Sequence, residues 1–235
     1  MKVPTVTANK DDTWVVVPCF NEDAHEINHV LQGLVGQGWS VVVVDDGSTE
    51  PLLSAISMSG VHVCRHVINL GQGAALQTGI DFALSKGAQY LVTFDSDGQH
   101  SAADIPKLLH PLMTEDFDVV LGSRFLKDGQ ALNIPFRKFI TLKLAVWFTR
   151  LTTGLQLTDT HNGLRAMSRN SAMRFQITQN RMSHASQILR YIKTLHLKYT
   201  EVPVTVVYTD YSVKKGQRIS NAFNIVWESL ADRLV

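Results

Sequence analysis

The sequence has only two cysteines, Cys19 and Cys64, in 235 residues. They lack metal-ligand spacing and lie inside apolar stretches, so they read as reduced core residues of a cytoplasmic protein. No run of about eighteen apolar residues exists, so no segment is expected to span a bilayer. The N-terminal stretch MKVPTVTANKDD has no apolar run, and no secretory leader is expected. Gly-x4-Gly-Lys-Ser/Thr is missing, which argues against a P-loop kinase or ATPase. No repeat, linker or low-complexity tract breaks the chain.

Net charge is also scarce, at +1, but it is unevenly spread. Residues 1–134 carry 7 Lys+Arg against 16 Asp+Glu, and residues 135–235 carry 15 against 5. The acidic half suits a cation, and the basic half suits phosphate or a lipid headgroup surface. Nucleic acid is set aside, since no zinc-finger spacing or aromatic-basic RNA motif occurs.

The chain that remains is 45% hydrophobic, enough for one sizeable domain. Strands are expected at 14–18, 41–45, 61–68, 90–95, 117–122 and 201–208. Helices are expected at 22–36, 72–86, 103–113, 138–152, 184–197 and 218–234, with polar loops at 158–169 and 209–217. Alternating strands and helices predict an α/β fold with a mainly parallel sheet covered on both faces. Ligands of such sheets sit beyond the carboxyl ends of the strands. Asn21-Glu22, Asp45-Asp46, Asn69 and Asp95/Asp97 all collect there.

The chain is organised around Asp95 and Asp97, which close the apolar run Tyr90 to Phe94. Two carboxylates this close raise each other's pKa unless a cation shares the site. Mg2+ or Mn2+ with a substrate phosphate resolves that conflict; an acidic turn before a helix is the other reading. His25-Glu26-Ile27-Asn28-His29 matches the zinc-protease pattern, but both imidazoles fall opposite the apolar stripe of Ile27, Leu31 and Leu34, so a solvated face is expected. In the cluster from Asn69 to Gly79, Leu76 replaces the third glycine of the dinucleotide fingerprint. What survives is a close turn into a helix N-terminus suited to a diphosphate, or simple close packing by Gly73 and Ala74. Arg124 and Arg165 each follow a small-residue turn in a polar loop, and their guanidinium forks suit phosphate.

Taken in order, six blocks resemble the family-two glycosyltransferases of the GT-A fold, and among them the polyprenyl- and dolichyl-phosphate sugar synthases. They are Pro18 to Glu22, Val43 to Thr49, Asn69 to Ala74, Phe94 to Gln99, Gly122 to Phe125 and Asp159 to Arg165. The resemblance implies a single GT-A domain over residues 1–235. Residues 1–125 form its nucleotide-sugar half, and residues 126–235 its acceptor half with a C-terminal amphipathic helix. It implies an inverting, metal-dependent transfer from a UDP- or GDP-sugar to a polyprenyl-phosphate or glycan acceptor, in cell-surface polysaccharide or glycolipid synthesis. By the same resemblance Pro18, Asn21, Glu22, Asp46, Gly71, Asp95 and Ser96 would bind the nucleotide sugar. Asp95, Asp97 and Gln99 would hold Mg2+ or Mn2+, and Arg124, Arg137 and Arg165 would take phosphates. Asp159, Asp97 and Arg124 would carry catalysis, with Asp159 a general base for a hydroxyl acceptor or, alternatively, a helix cap near residue 160. Asn162 and Leu164 stand where the family has Ser and Phe.

Two other functions stay open: a non-catalytic nucleotide-sugar module and a sugar nucleotidyltransferase. The helix over 138–152, with Phe139, Leu142, Val146, Trp147 and Phe148 among basic residues, would pack into the domain or a homodimer interface. Peripheral contact with the cytosolic membrane face is the competing use, and packing is preferred.

Overall fold

A computed structural model describes residues 10–56, 58–179, 183–209 and 211–212. The helix expected over 218–234 lies outside them, as do residues 210 and 213–217 of the expected turn. The β-branched runs become strands where burial on both faces suits them: β1 (Thr13–Cys19), β2 (Ser40–Asp45), β3 (Val61–Arg65) and β4 (Tyr90–Thr93). Between them run α1 (Ala24–Gly36) and α2 (Gln72–Ser85). Asp23 caps α1, its carboxylate accepting from the N–H groups of His25 and Glu26. His25 and His29 are exposed, as the solvated-face reading requires.

The rest of the large sheet and its cover is α3 (Ile105–Thr114), β5 (Val119–Ser123), β7 (Arg165–Ser168), α5 (Arg169–Ala172), α6 (Ser183–Thr194) and β8 (Tyr199–Pro203). A short pair, β6 (Gln130–Leu132) and β9 (Thr205–Val207), forms a second, parallel sheet. The long helix α4 (Phe136–Thr153) ends at Gly154, whose φ of 76° is the left-handed stop that glycine adopts without strain.

The large sheet has the order β3-β2-β1-β4-β7-β5-β8. All neighbours are parallel except β7, which runs antiparallel to both β4 and β5. The polar loop expected over 158–169 is thus corrected at its end: residues 165–168 are a central strand. The strand expected over 201–208 is two strands, because the chain leaves the large sheet at Val204 to join the small one.

One face of the sheet buries Val15, Val43 and Val92 under Ile27, Leu31 and Leu34 of α1 and Leu108 and Leu109 of α3. The other buries Val16, Val44 and Met167 under Leu76 and Ile80 of α2 and Ile188 and Leu189 of α6. Gly79 lets α2 sit close, since a Cβ there would collide with Val16. Gly73 is packed against the carbonyl of Gln179 rather than against the sheet.

The chain extends outward from β1 through β2 to β3, then returns through α2 to place β4 on the other side of β1. The order therefore reverses between β1 and β4, which is where open α/β sheets form a ligand crevice.

Candidate active site

Residues past the ends of β1 and β4 meet at this switch point, since Val16 pairs with Thr93 in the register. Asn21 adopts φ 50°, a conformation that asparagine tolerates better than most residues. Its N–H donates to Ser48 Oγ at 2.9 Å and its Oδ1 accepts from Thr49 N at 2.9 Å. The loops after β1 and β2 are thereby tied together. Pro18 is buried within β1. Ser96 Oγ donates to Glu22 Oε1 at 2.6 Å, and Tyr211 OH donates to Glu22 Oε2 at 2.6 Å. Burial, then that bond to Glu22, pushes the Tyr211 phenol up to about 12.

Asp46 is buried, and its carboxylate accepts from Leu70 N at 2.9 Å and Gly71 N at 2.8 Å, with His66 Nδ1 at 2.7 Å. It therefore fixes the turn into α2. Gly71 turns there with φ 98°, and no side chain caps the N-terminus of α2.

Asp95 lies beside Gly163, where any Cβ would run into its carboxylate. Gln72 Nε2 donates to its Oδ1 at 3.2 Å, and His100 Nε2 lies 3.7 Å from its Oδ2. Burial works to raise this carboxyl, but His100, Arg165 and His184 outweigh it and hold the pKa down. Asp97 fares differently. Burial, then the charge of Asp95, pushes it up to about 6, against the opposing pull of His100 and the Gln99 N–H at 3.1 Å. Gln99 is itself buried, and its backbone carbonyl accepts from Val207 N at 2.9 Å, so the small sheet braces this loop.

The basic residues expected to take phosphate are held in different ways. Arg124 Nε donates to Asp159 Oδ2 at 2.6 Å, Arg124 Nη2 to the His161 carbonyl at 2.6 Å, and Arg124 Nη1 to Tyr208 OH. Both members of the ion pair are buried, and Asp159 Oδ1 is buried without a hydrogen-bond partner. No helix begins near residue 160, so the capping alternative for Asp159 fails. Glu201 of β8 instead accepts from the N–H groups of Thr158 and Asp159. Arg165 is buried in β7, and burial lowers its pKa even with Asp95 and Asp159 nearby. Arg137 is exposed in the first turn of α4.

A model of the family described as glycosyl transferase family 2 matches residues 14–182. The chain belongs to that family. Among relatives of this glycosyltransferase, an uncharacterised protein, MJ1222, of Methanocaldococcus jannaschii is 36% identical over 96% of this chain and 94% of its own length. A UDP-N-acetylglucosamine–dolichyl-phosphate N-acetylglucosaminyltransferase of Methanococcus voltae is 29% identical, covering 92% of this chain and 94% of its own. Glucosyl-3-phosphoglycerate synthase from Mycobacterium tuberculosis, solved with Mn2+, UDP-glucose and phosphoglyceric acid, superposes with a TM-score of 0.70 at 19% identity. That match covers 94% of this chain and 78% of the other. The fold is therefore GT-A, and the protein is an enzyme that transfers sugar. The module and nucleotidyltransferase readings give way to that membership.

The acidic pair of the glycosyltransferase fits a hard divalent cation. Its donors are oxygens, and burial followed by the charge of Asp95 raises the Asp97 carboxyl, a penalty that a cation between the two would relieve. Among the described residues no three His, Cys, Asp or Glu gather as a metal cluster. Lys138 was not singled out from the sequence. Burial, then Arg124, lowers its pKa, while Asp97 and Asp95 pull the other way. Its position next to Arg137 in a helix's first turn was the available signal. His184 was also missed, because only the fold brings it to Asp95, while His100 follows directly on the acidic motif and its place in the sequence was the available signal.

Proposed function

We propose that this glycosyltransferase moves a sugar from a UDP- or GDP-sugar to the phosphate of a polyprenyl phosphate, inverting the anomeric centre. The observation that carries this reading is a buried acidic pair with a cationic cluster beside it. Arg165 feels the charges of Asp95 and Asp159, and Lys138 lies within the field of Asp97 and Asp95, its Nζ 5.0 Å from the ring centre of Tyr208, whose hydroxyl meets Arg124. Donor binding falls to residues 1–125 and acceptor binding to residues 126–235. Relatives named as dolichyl- and polyprenol-phosphate sugar transferases support the acceptor class, and the Mn2+ and UDP-glucose bound by a structural neighbour support the donor side.

Pro18, Asn21, Glu22, Asp46, Gly71 and Ser96 shape the donor crevice. Glu22, Ser96 and Asp46 act through the hydrogen bonds that hold its rim. Asp95 and Asp97, with Gln99 as a further ligand, would hold Mg2+ or Mn2+, which when bound offsets the charge that builds on the departing diphosphate. Arg137 and Lys138 meet the acceptor phosphate, and Arg124 and Arg165 supply charge from behind them. An oxygen of the acceptor phosphate forms the new bond to the anomeric carbon as the bond to the nucleoside diphosphate breaks. That oxygen is already anionic, so no general base is required. Asp159, committed to Arg124, therefore holds the guanidinium in place rather than taking a proton.

The test supplies radiolabelled UDP-glucose, UDP-N-acetylglucosamine or GDP-mannose with Mn2+ and either a short polyprenyl phosphate or an oligosaccharide. Label entering the solvent-extractable lipid, with inverted configuration by NMR, is the expected result. Label entering only the oligosaccharide would overturn the acceptor assignment and return Asp159 to the role of base.

A further inference from the structure

Five large apolar side chains of α4 stand in the open: Phe136 (75% exposed), Ile140 (42%), Leu144 (62%), Trp147 (64%) and Leu151 (64%). At about 100° per residue they fall within an arc of roughly 80°. The opposite side of the helix buries Leu142, Val146 and Thr153. Phe139 packs edge-on against Phe125. The expectation that this helix packs into the domain therefore holds for one side only. A scattered exposed leucine needs no explanation, but a continuous stripe four turns long does.

The charge on the helix indicates what covers the stripe. Residues 136–153 contain Arg137, Lys138, Lys143 and Arg150 and no aspartate or glutamate. Arg137 flanks the stripe on one side, and Lys143 and Arg150 flank it on the other. Lys143 Nζ sits 3.9 Å from the Phe125 ring centre, and Arg150 Nε donates to the Leu157 carbonyl at 2.6 Å, so both cations are held near the stripe's edge. An apolar strip edged by cations, with a tryptophan on it, has the makings of a helix that lies in the headgroup layer of an anionic bilayer. A second copy of the chain fits less well. Two-fold pairing of this face would set its cations against their own images.

We infer that α4 seats the enzyme on an anionic lipid surface through Phe136, Ile140, Leu144, Trp147 and Leu151. The same helix starts beside the site, since Lys138 in its first turn sits 5.0 Å from the ring centre of Tyr208, whose hydroxyl meets Arg124. Seating it would bring the crevice to the level of lipid headgroups, where a polyprenyl phosphate presents its phosphate. The inference gives the proposed acceptor its route of delivery and rests on that reading only there, since the surface itself is measured without acceptor or donor.

The experiment is co-sedimentation of the full chain with vesicles of phosphatidylcholine alone or mixed with phosphatidylglycerol, at low and high salt. The tryptophan emission of a Trp14→Phe, Trp39→Phe, Trp227→Phe background, which leaves Trp147 as its one tryptophan, and light scattering are followed in parallel. The wild type is expected to partition onto the anionic vesicles, with a blue shift and with loss at high salt. The double variant Leu144→Glu, Trp147→Glu should partition at least about tenfold less, with an unchanged melting-temperature response to UDP or GDP plus Mn2+. Two results would overturn the inference: a wild type that stays in the supernatant, or a stable dimer in light scattering that the double variant dissolves. Vesicle binding without any sugar transfer to polyprenyl phosphate would leave the surface standing and sink the acceptor assignment instead.

Discussion

Arg124 and Asp159 are locked together with Nε 2.6 Å from Oδ2, and both side chains are buried. Removing one partner of such a pair strands the other as a buried charge, at a cost of about 3–5 kcal/mol. Asp159→Asn is therefore expected to lose several kcal/mol in urea unfolding along with its activity. Replacing both residues by apolar side chains should cost less than the two single changes added together. A general base unconnected to the fold would show the reverse pattern, with activity gone and stability intact.

Asp97 carries a stability penalty of opposite kind. Its pKa is raised to about 6 in the folded chain by burial and by Asp95, whereas the unfolded chain holds an ordinary carboxyl. The folded state therefore binds the extra proton. Stability from this group is present at low pH and is lost as pH rises through about 6. Without added metal, Asp97→Asn should melt higher than the wild type at pH 7.5, by about 2–4 °C for each kcal/mol relieved. The gain should shrink toward pH 5. A variant that melts lower at pH 7.5 would show that Asp97 is already neutralised.

Asp95 leaves no room for a side chain at Gly163. Gly163→Ala would drive a methyl group into the Asp95 carboxylate. The expected outcome is a fold that survives with metal-dependent nucleotide binding at least about tenfold weaker, read by calorimetry. Unchanged binding would place the cation elsewhere.

Gly79→Ala tests packing alone. Its Cβ would press on Val16 in the core of the sheet, and overpacking of this kind costs about 1–3 kcal/mol. Urea unfolding should show that loss with no specific effect on nucleotide affinity in the folded fraction.

The donor half of the fold was legible because its strands are buried on both faces and are written as unbroken β-branched runs. Residues 15–17 and 41–44 are all valine, which leaves the chain little else to form there. Their ends carry the polar cluster, so the place of the candidate site could be read from the order of the elements. β7 escaped because it opens with Arg165, is short and follows a polar stretch; its pairing with β4 and β5 is purely tertiary. The Arg124–Asp159 pair spans 35 residues, and no local pattern announces it. In α4 the apolar residues run nearly all the way round in sequence, with Leu142 and Val146 no different in kind from Leu144 and Leu151. Only the fold shows which of them face outward.

Asp95 and Asp97 are proposed to grip a cation that in turn grips the donor diphosphate. The most direct measurement of that grip is the melting temperature with UDP, GDP, CMP or dTDP, each with and without Mn2+, in the wild type and in Asp97→Ala. A rise with UDP or GDP that requires Mn2+ and vanishes in the variant is the predicted result. A rise that ignores the metal, or that survives Asp97→Ala, would contradict it.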